Sequence, residues 1–232
     1  MQLIRHLYPD QATMNQALAG TFARQVETAL KRQELFRVAI SGGSAPDGMF
    51  AALPLFQTPG WNRIRWFWVD DRCVPYGAPE NNASHAMVFL EKLNLPREHF
   101  FPMPVTSDSP AESYEALLRV EFDLAGTELP VFDLMDLGMG PDGHFASLFP
   151  DRELTLDKLV LDVPPPTTAE PRISRVTLSL PVVLKSRQIR MLIPEKRKRI
   201  LFAQILSEGE NPHYPVSYLN RLPGDLHLYS VD

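Results

Sequence analysis

The chain has 232 residues, of which 44% are hydrophobic and 22% are charged. This length can bury a sizeable core, and this composition is that of an ordinary globular protein, which excludes intrinsic disorder. With 23 basic and 28 acidic side chains the net charge is -5. A surface for nucleic acid or an anionic membrane is therefore not expected, whereas a small anionic substrate held by a few local cations remains compatible with the charge.

A single cysteine, Cys73, excludes an intramolecular disulfide and suits a reducing compartment. No apolar run approaches the roughly 18 residues of a membrane span, so we expect a cytoplasmic protein. The six histidines lack the paired spacing of metal ligands, and we expect no metal site. The sequence carries no signal for the oligomeric state, and we expect a monomer or a weak homo-oligomer.

Apolar positions at helical spacing predict a first helix over residues 11 to 31. The segment Phe36 to Ile40 predicts a short strand, and a glycine-rich segment follows it at once. Proline is favoured at the first position of a helix and serine is a good cap residue. A helix is therefore predicted from Pro46 to about Leu53, with Ser44 as its cap.

The glycine-rich segment consists of Ser41, Gly42, Gly43 and Ser44. Between a strand and a helix it would present backbone N–H groups at the positive end of the helix dipole, which suits a phosphate. Its pattern is neither the dinucleotide fingerprint nor a P-loop. A tight turn that binds no ligand explains the same residues equally well.

A second strand is predicted from Ile64 to Val69, and it ends in Asp70, Asp71 and Arg72. Charged side chains at the carboxyl end of a parallel strand lie where the sheet opens toward a ligand. A salt-bridge cluster on the surface is the alternative interpretation.

The remaining chain continues to alternate between strands and helices. Helices are predicted at 84–93, at 110–124 with Ser109 as cap and at 195–207, and strands at 100–101, 131–137, 159–163, 175–180, 188–193 and 226–229. The cluster Lys196 to Arg199 opens the last helix, where cations oppose the helix dipole, so one of them is expected to have an anionic partner. The alternation predicts a three-layer α/β/α sandwich with a mainly parallel sheet, and we expect a single domain over residues 1–232.

The stretch from Val131 to Pro150 carries the strongest chemical signal. Its apolar first half predicts a buried strand, which runs into a glycine-rich turn containing Asp142 and His144. Active sites of open α/β sheets lie at such strand ends. An imidazole, whose ordinary pKa is near 6.5, can take a proton from water at neutral pH. We interpret the turn as the catalytic centre, the alternative being a loop histidine that bonds only to the backbone.

Several segments together resemble, in the same order, the motifs of 6-phosphogluconolactonases. They are SGGSAP at 41–46, DDRCVP at 70–75 with ENN at 80–82, LGMGPDGHFASLFP at 137–150 and RVTLSL at 175–180. The resemblance implies a Rossmann-like α/β fold, shared with glucosamine-6-phosphate isomerases. It also implies hydrolysis of 6-phospho-D-glucono-1,5-lactone to 6-phosphogluconate in the oxidative pentose phosphate pathway, in the cytoplasm and without a cofactor.

The resemblance assigns site residues by position. The catalytic pair is Asp142 and His144, and the substrate- and phosphate-binding set is Ser41, Gly42, Gly43, Ser44, Asp71, Arg72, Gly140, Gly143, Arg175 and Lys196. Two positions depart from the family pattern, because Ala45 stands where Thr is usual and Asp71 stands where Glu is common. The loss of the Thr hydroxyl removes one donor from the phosphate loop.

The resulting hypothesis is that His144 activates water as a general base and that Asp142 or another carboxylate orients its ring. The N–H groups of the glycine turns would face the carbonyl oxygen. Two alternatives stay open. An amino-sugar-phosphate isomerase needs a Glu just before the proline that ends the motif, where this chain has Phe149. A non-catalytic sugar-phosphate-binding domain would bind the ligand without turning it over.

Overall fold

A computed structural model of the chain describes residues 1–56, 60–150 and 152–232, without the side chains of Ser44 and Ala45. The strands are β1 (Leu3–Tyr8), β2 (Phe36–Ile40), β3 (Ile64–Trp68), β4 (Asp70–Arg72), β5 (Phe100–Phe101), β6 (Leu134–Leu137), β7 (Val160–Val163), β8 (Arg175–Leu178), β9 (Ile189–Leu192) and β10 (Leu226–Val231). The α-helices are α1 (Gln11–Ala29), α2 (Ser44–Ala52), α3 (Asn82–Leu90), α4 (Pro110–Glu121), α5 (Leu180–Lys185) and α6 (Lys196–Glu208).

A seven-stranded sheet in the order β1-β10-β9-β6-β2-β3-β5 forms the centre of the fold. Every neighbouring pair in it is parallel. Strands β6 and β9 are buried along their whole length, as expected for a parallel sheet covered by helices. The predicted α/β fold with a mainly parallel sheet is confirmed, and the carboxyl ends of β2, β3 and β6 meet at one edge.

A second, three-stranded antiparallel sheet in the order β4-β8-β7 was not predicted. The chain passes from one sheet to the other at Val69. The Val69 N–H donates to the carbonyl of Ile40 at the end of β2, and the Val69 carbonyl accepts from the N–H of Leu178 in β8. The predicted strand 64–69 therefore stops at Trp68, and the charged residues after it form a strand of their own.

Several predicted boundaries are corrected by the structure. Ser44 is the first residue of α2 rather than its cap, which is Gly43 with φ 106. Helix α4 ends at Glu121 because Asp123 adopts a left-handed conformation with φ 51. The predicted strand 175–180 ends at Leu178, and helix α5 and strand β1 were missed because short apolar runs do not distinguish helix from strand.

A buried ion pair joins the centre of the sheet just before the glycine turn. Asp136 of β6 and Arg190 of β9 are register partners, and neither side chain has exposed surface. The Arg190 Nε and Nη2 atoms donate to the two carboxylate oxygens of Asp136 at 2.6 Å each. Burial alone would lower the pKa of Arg190, but Asp136 raises it above its ordinary value. The Asp136 carbonyl also accepts from the Ser41 N–H at 3.1 Å, which ties the ends of β2 and β6 together.

Within the ranges that the structure describes, the helices are too short or too polar to cross a membrane.

Candidate active site

A polar cavity of about 170 Å³ lies at the edge where the carboxyl ends of β2 and β6 meet the small sheet. Among the residues predicted for the site, it is lined by Ser41, Gly42, Arg72, Gly140, His144 and Arg175. A larger cavity of about 620 Å³ lies between α4, β7 and residues 147–149 and contains none of the predicted site residues. The smaller cavity is the candidate site because the chemistry predicted from the sequence converges there.

Two arginines form the cationic side of the cavity. Arg72 of β4 and Arg175 of β8 are cross-strand register partners, an arrangement in which like charges repel. The Nε atom of each is buried without a hydrogen-bond partner, and no described acidic side chain forms an ion pair with either. Burial, and then the charge of Arg72, lowers the pKa of Arg175, yet a guanidinium stays protonated in proteins. An anion between the two would relieve the repulsion and accept the free donors.

Gly42, in the loop after β2, leaves room for the Asn82 side chain, which holds Arg72 in place. Arg72 donates through Nη1 to the side-chain oxygen of Asn82 and, at 3.1 Å, to the Glu80 carbonyl. A Cβ atom at Gly42 would overlap the Asn82 side chain, so only glycine permits this close approach. The Ser41 hydroxyl, also in the cavity wall, is buried without a partner. The loop and the arginine therefore lie together in the cavity wall, where the Ser41 hydroxyl and the Arg72 Nε are both without a partner.

The acid and the histidine of the glycine turn form a hydrogen-bonded pair. His144 Nδ1 lies 2.5 Å from Asp142 Oδ1, and the Thr168 hydroxyl donates to Asp142 Oδ2 at 2.7 Å. Burial alone would raise the pKa of Asp142, but the hydrogen bonds from His144 and Thr168 lower it to about 2. Asp142 is thus ionised at neutral pH and accepts the Nδ1 proton. The other ring nitrogen, Nε2, is left with its lone pair for a proton from water.

The imidazole ring is packed on two sides. A Cβ atom at Gly140 would overlap ring atoms Cε1 and Nδ1 of His144. On another side the buried ring of Phe149 lies 4.6 Å from the imidazole, centroid to centroid. The Arg175 guanidinium lies 5.3 Å from the same phenyl centroid. Phe149 therefore positions both the histidine and the cation.

The N–H groups predicted to face a carbonyl oxygen are already used inside the turn. The Gly140 N–H donates to the His144 carbonyl at 2.9 Å, and the Gly143 N–H donates to the Gly140 carbonyl at 3.1 Å. Gly143, with φ 78, faces Tyr214, whose Cδ1 would lie 2.7 Å from a Cβ atom there. These two glycines shape the turn. The Gly42 N–H, in contrast, has no partner among the described residues.

Asp71 lies outside the cavity lining. Its fully buried carboxylate accepts hydrogen bonds from the backbone N–H groups of Arg72, Asn82 and Ala83 and from the Asn81 side chain. Burial raises the pKa of Asp71 to about 6, against the opposing effect of the bonds from those N–H groups. The structure gives Asp71 the role of fixing the first turn of α3.

Gly43 and Lys196 are not brought into the cavity wall. Gly43 is the exposed cap of α2, and the Ser44 side chain is outside the described residues. Lys196 is exposed at the start of α6 and does not line the cavity. In the same helix Lys198 pairs with Glu195 at 2.9 Å and Arg199 pairs with Asp232 at 3.6 Å. The anionic partner expected for a cation of this cluster is therefore supplied by acidic residues of the chain itself.

Asp70, Asn82 and Thr168 were not assigned to the site from the sequence, although Asp70 and Asn82 belong to segments that were singled out there. Asp70 and Asn82 line the cavity, and Asp70 Oδ2 accepts from the Ser147 hydroxyl at 2.6 Å. Strand periodicity could have found Asp70, because side chains alternate and Asp70 faces the same way as Arg72, opposite to Asp71. Thr168 carries no sequence signal, since it lies in a proline-rich loop 26 residues after Asp142.

Comparison with known proteins identifies the family of the chain. A family model described as glucosamine-6-phosphate isomerases/6-phosphogluconolactonase matches residues 9–228. A 6-phosphogluconolactonase of Nostoc sp. is 30% identical over 216 residues, which cover 91% of this chain and 88% of the relative. One of Synechocystis sp. is 31% identical over 188 residues, covering 78% and 76%.

Solved structures show the same architecture. The 6-phosphogluconolactonase of Thermotoga maritima matches with a TM-score of 0.85 at 25% identity, and the match covers 100% of both chains. The enzyme of that name from Trypanosoma brucei matches with a TM-score of 0.84 at 23% identity, covering 99% and 96%, which shows the fold alone. Because the family model spans almost the whole sequence and the relatives align over most of it, the chain belongs to the glucosamine-6-phosphate isomerase/6-phosphogluconolactonase family.

Proposed function

We propose that the protein hydrolyses 6-phospho-D-glucono-1,5-lactone to 6-phospho-D-gluconate in the oxidative pentose phosphate pathway. The observation that carries the proposal is one cavity lined by His144, which is paired with Asp142, and by two arginines whose buried Nε–H donors are free. The carboxylate–histidine pair can activate a water molecule, and the arginine N–H donors can bind a phosphate. The names of the relatives support the same reaction. We propose further that the enzyme acts in the cytoplasm as a single domain and needs no cofactor.

The chemistry divides between the two sides of the cavity. His144 Nε2 takes a proton from the attacking water, and ionised Asp142 stabilises the imidazolium that forms, through Nδ1–H. The water oxygen adds to the lactone carbonyl, and collapse of the tetrahedral intermediate breaks the ring C–O bond, whose oxygen receives the proton from His144. Arg72 and Arg175 hold the phosphate. The free Gly42 N–H is a further donor for the phosphate or for the oxyanion.

Phe149 favours hydrolysis over isomerisation. A ketol isomerase must move a proton between adjacent carbons, which needs acid-base groups in addition to the histidine. At the position where the isomerases carry a Glu, this chain has a phenyl ring, fully buried against His144. Activity on glucosamine 6-phosphate comparable to that on the lactone would reverse this choice, and binding of 6-phosphogluconate without turnover would identify a binding domain.

The proposal is tested by assaying hydrolysis of phosphorylated and unphosphorylated gluconolactone above their spontaneous rates. Arg72→Ala is expected to lower the preference for the phosphorylated lactone by about 10- to 100-fold, because it removes charge-assisted hydrogen bonds to phosphate, each worth about 1.5 to 3 kcal/mol. Arg97→Ala removes an exposed arginine that does not line the cavity and serves as the control. An unchanged preference in Arg72→Ala would exclude a phosphate role for this residue.

Gly140→Ala is expected to reduce kcat on the order of tenfold or more, because the new methyl group displaces the His144 ring and misplaced groups lose rate steeply. KM should change little, since neither arginine is among the atoms that the new Cβ would meet. Gly224→Ala, whose Cβ would meet only the Arg187 carbonyl oxygen at 4.0 Å, is the matched control. Equal kcat values for the two variants would show that the close approach at Gly140 has no catalytic importance.

A further inference from the structure

The loop that joins β7 to β8, residues 164–174, contacts both sides of the cavity. The Thr168 hydroxyl donates to Oδ2 of Asp142 at 2.7 Å. Three residues further along, the Pro171 carbonyl accepts from Nη2 of Arg175 at 3.0 Å. Because β7 and β8 are antiparallel neighbours, the loop is held at both ends by the small sheet. The hydrogen bonds of Thr168 and Pro171 hold the loop beside Asp142 and Arg175.

The two oxygens of Asp142 have different partners. Oδ1 receives the backbone N–H of His144 at 3.3 Å and lies 2.5 Å from Nδ1. Oδ2 is bonded to Thr168, and the hydrogen bonds of the described residues give it no other donor. A carboxylate bonded through one oxygen can still rotate about its terminal torsion, which is broad. A donor on the second oxygen removes that freedom.

We propose that Thr168 is a positioning residue, which locks the Asp142 carboxylate so that His144 keeps its Nδ1–H tautomer and its orientation toward the substrate. The effect on rate rests on the proposed function, in which His144 Nε2 takes the proton from water. The effect on the tautomer does not, because it concerns only the Asp142–His144 pair. Partners of this kind, one step removed from the reacting group, set the tautomer of functional histidines in other sites.

The test compares Thr168→Val, which keeps the branched shape without the hydroxyl, with Thr168→Ser, which keeps the hydroxyl. We expect Thr168→Val to lower kcat for the lactone on the order of tenfold with KM within about twofold, because the ring is misoriented while the arginines are untouched. Thr168→Ser should restore kcat to within about threefold. Thr168 is exposed, so the variants should fold. Thr106→Val, at an exposed threonine that does not line the cavity, is the control.

A second measurement needs no substrate. Long-range ¹H–¹⁵N spectra distinguish the two imidazole tautomers, and the signal lost in His144→Gln identifies this ring. The unmodified protein is expected to show the Nδ1–H form. Thr168→Val should show a larger share of the Nε2–H form, and Thr168→Ser should again show mainly the Nδ1–H form. If the protein hydrolyses no lactone, the proposed function fails, and the tautomer shift alone decides the role of Thr168. An unchanged tautomer ratio in Thr168→Val, or a kcat loss that Ser does not reverse, would overturn the inference.

Discussion

His144→Ala is expected to lower kcat for 6-phospho-D-glucono-1,5-lactone by about 10²- to 10⁴-fold, the contribution of a positioned general base. The structure supports a loss of kcat of this size because the His144 ring is fixed on several sides. Asp142 holds Nδ1 at 2.5 Å, and Phe149 lies 4.6 Å away. KM should change little, because the imidazole does not hold the phosphate. Steady-state kinetics above the spontaneous rate of lactone opening measure both constants.

His144→Gln separates the base from the shape of the side chain. Its amide can still donate to Asp142, but it cannot accept a proton, so the loss should be as large as in the alanine variant. His213→Ala removes an exposed histidine outside the cavity wall and controls for the general effect of losing an imidazole. A His144→Ala enzyme within a few-fold of the unmodified rate would eliminate the general-base role.

Arg190→Met is expected to destabilise the fold by about 3 to 5 kcal/mol, because it leaves the Asp136 carboxylate buried without its partner. Both side chains are fully buried in the central sheet, and each carboxylate oxygen receives one guanidinium N–H at 2.6 Å. For a chain of this size the change corresponds to a fall in Tm of roughly 6 to 20 °C. Denaturant unfolding followed by circular dichroism gives the free energy directly.

The double variant Asp136→Leu/Arg190→Met tests the cause. If the loss comes from an unpaired charge, replacing both partners by apolar side chains of similar volume should recover most of the stability. The pair would then be a specificity device for the register between β6 and β9 rather than a net source of stability. A single Arg190→Met variant as stable as the unmodified protein would contradict the interpretation that the pair is needed to neutralise the carboxylate.

The cavity lies where the two sheets meet, and each sheet contributes different residues to it. The parallel sheet positions the loop after β2, which contains Gly42, and the glycine turn after β6, which contains the hydrogen-bonded Asp142–His144 pair. The antiparallel sheet delivers Arg72 and Arg175 as cross-strand partners. Asn82 joins the two parts, because it bonds to Arg72 and packs against Gly42.

Much of this arrangement could be predicted because it is encoded locally. Strand β2 was predicted with its observed bounds, since an apolar β-rich run followed by two glycines has few other conformations. The turn carrying Asp142 and His144 was predicted for the same reason. The cap of α3 is encoded in the same local way, because the Asn81 side chain accepts from the Ser84 N–H at 2.8 Å. Such signals depend on a few neighbouring residues.

The amino-acid sequence by itself determined the residue types at the strand ends, the glycine turn and the family resemblance, because periodicity and turn preferences act over short distances. Only the tertiary structure decided that Arg175 lies opposite Arg72 and that Thr168 reaches Asp142. It also showed that the N–H groups of Gly140 and Gly143 are used within the turn. These features depend on strand register and on contacts between distant segments, which are set by packing of the whole chain and leave no local pattern.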